Sequence, residues 1–321
     1  LPAGDNSEPA LSHTPGEPMV VVLGPAADIG GAAICDALAR RGVSHALVDP
    51  SQFEVSMILD VRLRCDGRWA GKLRTIDNTI TVQDVSAIYY RAQQPWVREP
   101  GSNSITGPAR QVVPGPRAQS RQAHARVAIY GMFASLPCRW VNHPNSYTDE
   151  NRLSLLTAAI ASGFTLPLSG LANQQHSVNN FLDAVGGNVL ATPLVEPEVG
   201  SSHSRTALRS AHQNRRPEEF LYQRYAEREL ETRVIAVGRR LFGFRGSDDL
   251  YTLTDTPPEI TVATNKYLER TGLRYVVLDF AVPRDGPWIL TKADPAADWS
   301  WYATQFDLPI ADALVDALIQ N

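Results

Sequence analysis

Met19-Val-Val-Val-Leu-Gly24 is an unbroken apolar run stopped by Gly-Pro, the mark of a strand buried on both faces. Apolar residues then recur at helical spacing through Ile29, Ala33, Ile34, Ala37 and Leu38, and Gly42 supplies a C-terminal stop. Val43 to Val48 is a second apolar run. Strand, helix and strand in that order make a parallel pair with a crossover helix, which commits this part of the chain to a layered α/β arrangement. The turn Gly24-Pro-Ala-Ala-Asp-Ile-Gly30-Gly31 is not the GxGxxG of dinucleotide folds: Pro25 replaces flexible backbone and Asp28 brings the wrong charge for phosphate. It reads as a helix packed on a sheet, and a dinucleotide-dependent oxidoreductase is the weakest functional reading.

Further along, residues 54–82 alternate apolar and polar, with turn signals at Asp66-Gly67 and Asp77-Asn78, which predicts β-hairpins. Val85 to Arg91 reads as a strand, and 97–120 as a loop rich in Pro, Gly and Ser. Helices are expected over 122–136, 150–162, 178–185, 260–271 and 310–319. Strands are expected over 188–193, 220–225, 231–237, 240–245, 275–282 and 288–292. Residues 200–217 form a Ser-rich basic segment carrying His203, Arg205, Arg209, His212, Arg215 and Arg216. Leu1 to Pro18 has neither the basic nor the apolar region of a signal peptide and reads as a disordered extension.

The chain is 321 residues with a formal charge of −4, which makes no case for a nucleic-acid or membrane partner. No window approaches the roughly 18 apolar residues of a spanning helix. Cys35, Cys65 and Cys138 lie far apart, without zinc or redox spacing, so reduced thiols and a cytoplasmic location are expected.

Several segments, in this order, carry a resemblance. They are Ala87-Ile-Tyr-Tyr-Arg91, Arg139-Trp-Val-Asn-His-Pro144, Glu150-Asn-Arg-Leu with Gly163-Phe-Thr-Leu-Pro167, and Glu231-Thr-Arg-Val-Ile-Ala-Val-Gly238. The last is the run from Asp279 through Ala293-Asp-Pro295 and Trp299 to Leu308-Pro-Ile-Ala-Asp-Ala-Leu314. From Met19 onward the chain resembles the graspetide-synthetase (microviridin-type) branch of the ATP-grasp ligases, which cross-link ribosomally made peptides. The resemblance implies an α/β (α+β) ATP-grasp fold with an N-terminal pre-ATP-grasp α/β domain over 19–140. A central subdomain over 141–195 and a C-terminal ATP-grasp domain over 196–321 would follow. It further implies ATP and Mg²⁺ as cofactors, a precursor peptide with an acidic core or leader as partner, and a homodimer.

Site residues follow from the same resemblance. Arg233 and Arg245 match arginines near the acyl phosphate, where positioned cations hold the intermediate. Salt bridges to Glu231 or Asp248 are the plain alternative for them. Arg152 replaces a phosphate-binding lysine, Gln223 and Tyr225 match the adenine edge, and Glu231 is the ribose candidate. Asp279 and Asp294 are the metal-ligand candidates. The departures cluster: Thr192 stands where the phosphate lysine is expected, Lys292 where the metal-bridging Glu is expected, and Ala296-Ala297 replaces Asn-Gly. Lys292 places an ammonium where that Glu belongs; in the alternative of a rewired ligase it stands in for the metal and contacts a phosphate directly.

Four departures in one site predict a non-catalytic protein that binds a precursor peptide, or that pairs with an intact ATP-grasp ligase. The alternative is an active ligase forming side-chain esters or amides with a rewired phosphate site. A different chemistry in the same cleft lacks a recognisable nucleophile with His and acid partners. His143, before a proline, is expected to act as a structural hydrogen-bonder.

Overall fold

A computed structural model describes residues 16–53, 55–91, 124–146, 152–186, 188–194, 206–208, 220–226, 230–247 and 250–320. The expected loop at 97–120, most of the N-terminal extension, and the basic segment apart from 206–208 lie outside these residues. The chain divides into two compact units, one holding residues 1–103, 113–141 and 300–321 and the other 104–112 and 142–299.

In the first unit, β1 (Met19–Leu23) is the centre of a parallel sheet. Its neighbours are β2 (His45–Val48) and β6 (Val85–Tyr90), and β7 (Arg139–Val141) extends the sheet beyond β6. All of β1 is buried, as its unbroken apolar run requires. Helix α1 (Ile29–Arg40) makes the predicted crossover. An antiparallel sheet of β3 (Ile58–Leu63), β4 (Trp69–Arg74) and β5 (Thr79–Thr81) follows, and the Arg64–Arg68 backbone hydrogen bond closes its first turn. Leu73 and Ile80 from this sheet join Met19, Val21, Leu23, Ile88, Phe133 and Trp140 in one core. The helix predicted after residue 122 runs through a π-helical stretch, Arg126–Tyr130, into α2 (Gly131–Ala134).

Asp28 and Arg91 occupy the first turn. Asp28 caps α1, accepting from the Gly31 backbone N–H at 2.5 Å. The same carboxylate receives Arg91 Nε at 3.0 Å and Nη2 at 2.9 Å, and both side chains are buried. A Cβ at Gly24 would lie 2.9 Å from Arg91 Cβ, so the arginine occupies the space above the turn. The helix N-terminus that a nucleotide fold leaves open is filled by an ion pair within the chain.

The second unit contains two antiparallel sheets, built on helices α3 (Arg152–Ser162), α4 (Gln175–Val185) and α5 (Pro258–Thr271). The four-stranded sheet runs β10 (Thr206–Leu208), β9 (Val189–Pro193), β11 (Phe220–Arg224), β8 (Ser169–Leu171). Val178 and Leu182 of α4 pack on its Val189, Ala191 and Tyr222. Gly186, at φ 78°, ends α4 in the left-handed conformation. The five-stranded sheet runs β14 (Leu250–Thr254), β13 (Arg240–Ser247), β12 (Leu230–Val237), β15 (Tyr275–Val282), β16 (Ile289–Asp294). On one face Val234, Ala236, Leu278 and Phe280 meet Ile260, Tyr267 and Phe164 in a second core. Strands β8, β10 and β14 were not predicted, and neither was helix α6 (Ser300–Phe306) of the first unit. The last helix, α7 (Ile310–Ile319), was predicted, and its Asp312 and Asp316 pair with Arg40 and Arg41 at the end of α1.

Candidate functional site

Alternation along β12 sends Val234 and Ala236 into the core, so Arg233 emerges on the opposite face. Asp279 of β15 is its direct cross-strand neighbour. The two close a two-point ion pair, Nε to Oδ1 at 2.7 Å and Nη2 to Oδ2 at 3.1 Å. Such a fork-on-fork pair fixes both carboxylate oxygens as well as the guanidinium plane.

The third member of the row depends on a bulge. Asp279 pairs with Lys292, but Phe280 pairs with Leu290, which leaves Thr291 as an extra residue in β16. Simple alternation would put Leu290 and Lys292 on one face; the inserted residue separates them. Leu290 stays in the core, and Lys292 stands on the face of Asp279. The Thr291 hydroxyl donates to the Asp279 carbonyl at 3.0 Å and braces the bulge. Lys292 Nζ then donates to Asp294 Oδ2 at 2.8 Å, and Asp294 Oδ1 accepts from the Ala296 N–H at 2.9 Å. Arg233, Asp279, Lys292 and Asp294 therefore form a row of alternating charge across three strands, each side chain a quarter to two-fifths exposed.

Beside this row is a small depression of about 70 Å³, lined by Glu231, Thr232, Arg233, Tyr251, Asp279, Phe280, Ala281 and Thr291. Glu231 shares the face of Arg233, two positions away. Tyr251 and Thr291 were missed from the sequence; only the pairing of β14 and the bulge bring them here. Arg245 lies opposite Thr232 and Thr252, which by strand alternation puts it on the other face of the sheet from Arg233. The remaining candidates lie elsewhere in the unit. Gln223 is buried on β11 and donates to Ser169 Oγ at 3.1 Å, and the Tyr225 N–H donates to the Asn188 carbonyl at 2.8 Å. Arg152 is the first residue of α3.

Another residue missed from the sequence is Asn142, buried just after β7. Its Nδ2 donates to the carbonyls of Tyr275 at 2.7 Å and Pro295 at 3.0 Å. Its Oδ1 accepts from the N–H groups of Arg274 at 2.8 Å and Tyr275 at 3.1 Å. All of its hydrogen-bonding capacity is used in tying the start of β15 to the turn after Asp294. The adjacent His143 accepts the Asn145 N–H on Nδ1 at 3.2 Å.

The donor set can be tested against the metal and nucleotide that the resemblance implies. Mg²⁺ requires oxygen ligands in near-octahedral geometry. Among the described residues no three His, Cys, Asp or Glu side chains come together in a metal-binding group. Asp279 is engaged by a guanidinium and Asp294 by an ammonium. These residues do not fit a divalent cation. Where the resemblance expects a phosphate lysine, the Thr192 hydroxyl is buried, has no hydrogen-bond partner among the described residues and brings no charge. No helix among the described residues is long and apolar enough to cross a membrane.

No family model and no curated protein matches the chain by sequence. Solved structures do match by fold. The macrocyclase MdnC of Microcystis aeruginosa MRC, bound with precursor peptide MdnA, superposes with a TM-score of 0.78 at 18% identity, covering 94% of this chain and 100% of that one. The RiPP-associated ATP-grasp ligase of Chryseobacterium gregarium, in complex with ADP and a leader and core peptide, gives 0.74 at 15% identity, covering 94% and 96%. The ATP-grasp ligase PsnB, complexed with a phosphomimetic variant of a minimal precursor, Mg and ADP, gives 0.71 at 16% identity, covering 94% and 97%. The chain has the mixed α/β fold of these ATP-grasp ligases.

Proposed function

We propose that this protein acts in ribosomal peptide maturation by binding a precursor peptide, without turning over ATP itself. It works alone or as the non-catalytic partner of an intact ATP-grasp ligase. The observation that carries this reading is the row Arg233–Asp279–Lys292–Asp294, in which cations of the chain engage the carboxylates a ligase would offer to metal. The similar folds of MdnC and the Chryseobacterium gregarium ligase, both bound to peptides, support the peptide half of the reading. In it Arg233 and Glu231 face the peptide beside the row, and the protein is a cytoplasmic homodimer.

A second reading is an active ligase. Its support is the same row, seen as cations positioned for an acyl phosphate, with Arg233 at the reaction and Lys292 at the phosphates. Mass spectrometry separates the two, using the purified chain, ATP and synthetic peptides that combine Asp or Glu with Ser, Thr or Lys. Each side-chain ester or amide link removes one water from the peptide. Peptide binding with unchanged peptide mass supports the non-catalytic reading; ATP-dependent loss of water overturns it.

A further inference from the structure

We propose that Lys292 is a built-in replacement for a divalent cation, so that this face of the five-stranded sheet is metal-free by construction. The inference deepens the reading of the row given above and rests on it. Two positive charges, Arg233 and Lys292, balance two negative ones, Asp279 and Asp294, so the row is neutral with no ion added. A glutamate at position 292 would leave the row at a net charge of minus two, which one divalent ion neutralises. The exchange of one side chain is thus equivalent in charge to loading the metal.

Geometry supports the same conclusion. The Thr291 bulge carries Lys292 onto the face of Asp279, directly opposite it in the ladder. Without that extra residue the lysine would take the core side and could not serve the row. The ammonium is held at 2.8 Å on Asp294, and the guanidinium of Arg233 holds both oxygens of Asp279. A dication entering between them would meet two fixed positive charges in a partly buried setting, where screening is weaker than in water. Asp294 is fixed in turn by the Ala296 N–H, so it is not free to swing away as a lone ligand.

The test is a Mn²⁺ titration of the full-length protein followed by electron paramagnetic resonance, with Mn²⁺ as the probe and with neither nucleotide nor peptide present. The wild-type protein is expected to leave the free Mn²⁺ signal undiminished. Lys292→Glu is expected to gain Mn²⁺ affinity by about 10- to 100-fold, the scale on which single changes around a metal site act. If Lys292→Glu fails to fold, Lys292→Gln, at a part-exposed position, is expected to bind several-fold more tightly than wild type. One ion bound tightly per wild-type chain would overturn the inference. So would a folded Lys292 variant that binds no better than wild type. Because no peptide or ATP is present, failure here leaves the peptide-binding reading to its own test.

Discussion

Arg233 and Asp279 face each other across neighbouring strands and close two charge-assisted hydrogen bonds, at 2.7 and 3.1 Å. About a quarter of each side chain remains exposed, so solvent screens the pair and its contribution to stability is modest. Arg233→Ala is expected to destabilise the protein by about 0.5–1 kcal/mol. A double-mutant cycle with Asp279→Ala, read by urea denaturation, is expected to give coupling of the same size. Additive single effects would show that the two groups do not interact in solution.

Asp28 and Arg91 contrast with that pair, because both are buried and Asp28 also caps α1. Removing one partner strands a charge in the interior. Arg91→Ala or Asp28→Ala is therefore expected to cost about 3–5 kcal/mol. The double variant should cost much less than the two singles combined, since no lone charge is left. Chemical denaturation of the three variants checks this, and a small loss from Arg91→Ala would contradict the buried pairing.

Asn142 makes four hydrogen bonds that no other side chain at that position could reproduce. Asn142→Ala leaves two carbonyls and two N–H groups without this partner and is expected to cost on the order of 3 kcal/mol. Asn142→Asp should be at least as damaging at neutral pH, because a carboxylate would face the carbonyls of Tyr275 and Pro295. Thermal unfolding of the two variants decides it; a stable Asn142→Asp protein would contradict the network.

The thiols predict an alkaline limit to stability. Burial pushes Cys138 up from 9.0 to about 12. Burial, with the Asp36 charge second, pushes Cys35 up to about 11. Each folded pKa lies above its unfolded value, so the folded state keeps protons that the unfolded chain has lost. The stability due to these groups is whole below the unfolded pKa and falls as pH rises toward the folded values. The expected slope is about 1.4 kcal/mol per pH unit for each thiol. Cys138→Ala should remove one of the two contributions, which urea unfolding between about pH 9 and 11 would register as a shallower slope. An unchanged slope would contradict the assignment. Cys65, exposed on the β3–β4 turn, should be the first thiol alkylated.

Much of the fold was legible because local chemistry and tertiary packing agree. The buried β1 run, the C-terminal glycines at Gly42 and Gly186, and the periodicity of 260–271 each point to the element that forms. The illegible elements owe their form to partners. Ser169–Leu171 and Thr206–Leu208 are too short to show a period, and they are strands because β11 and β9 lie beside them. At the site, the sequence points to Arg233, Asp279, Lys292 and Asp294 but not to their arrangement. Alternation along 289–294 groups Leu290 with Lys292, and only the pairing with β15 reveals Thr291 as the extra residue that parts them. In the same way, Arg245 is separated from Arg233 by ladder register, which spacing along the chain does not encode.

On the proposed reading, the site expected to hold ATP and Mg²⁺ does not work as one. Isothermal titration calorimetry of the purified protein with a non-hydrolysable ATP analogue, with and without Mg²⁺, tests it most directly. No Mg²⁺-dependent heat of binding is expected, because Asp279 and Asp294 are engaged by Arg233 and Lys292. Saturable nucleotide binding that appears only when Mg²⁺ is added would contradict it.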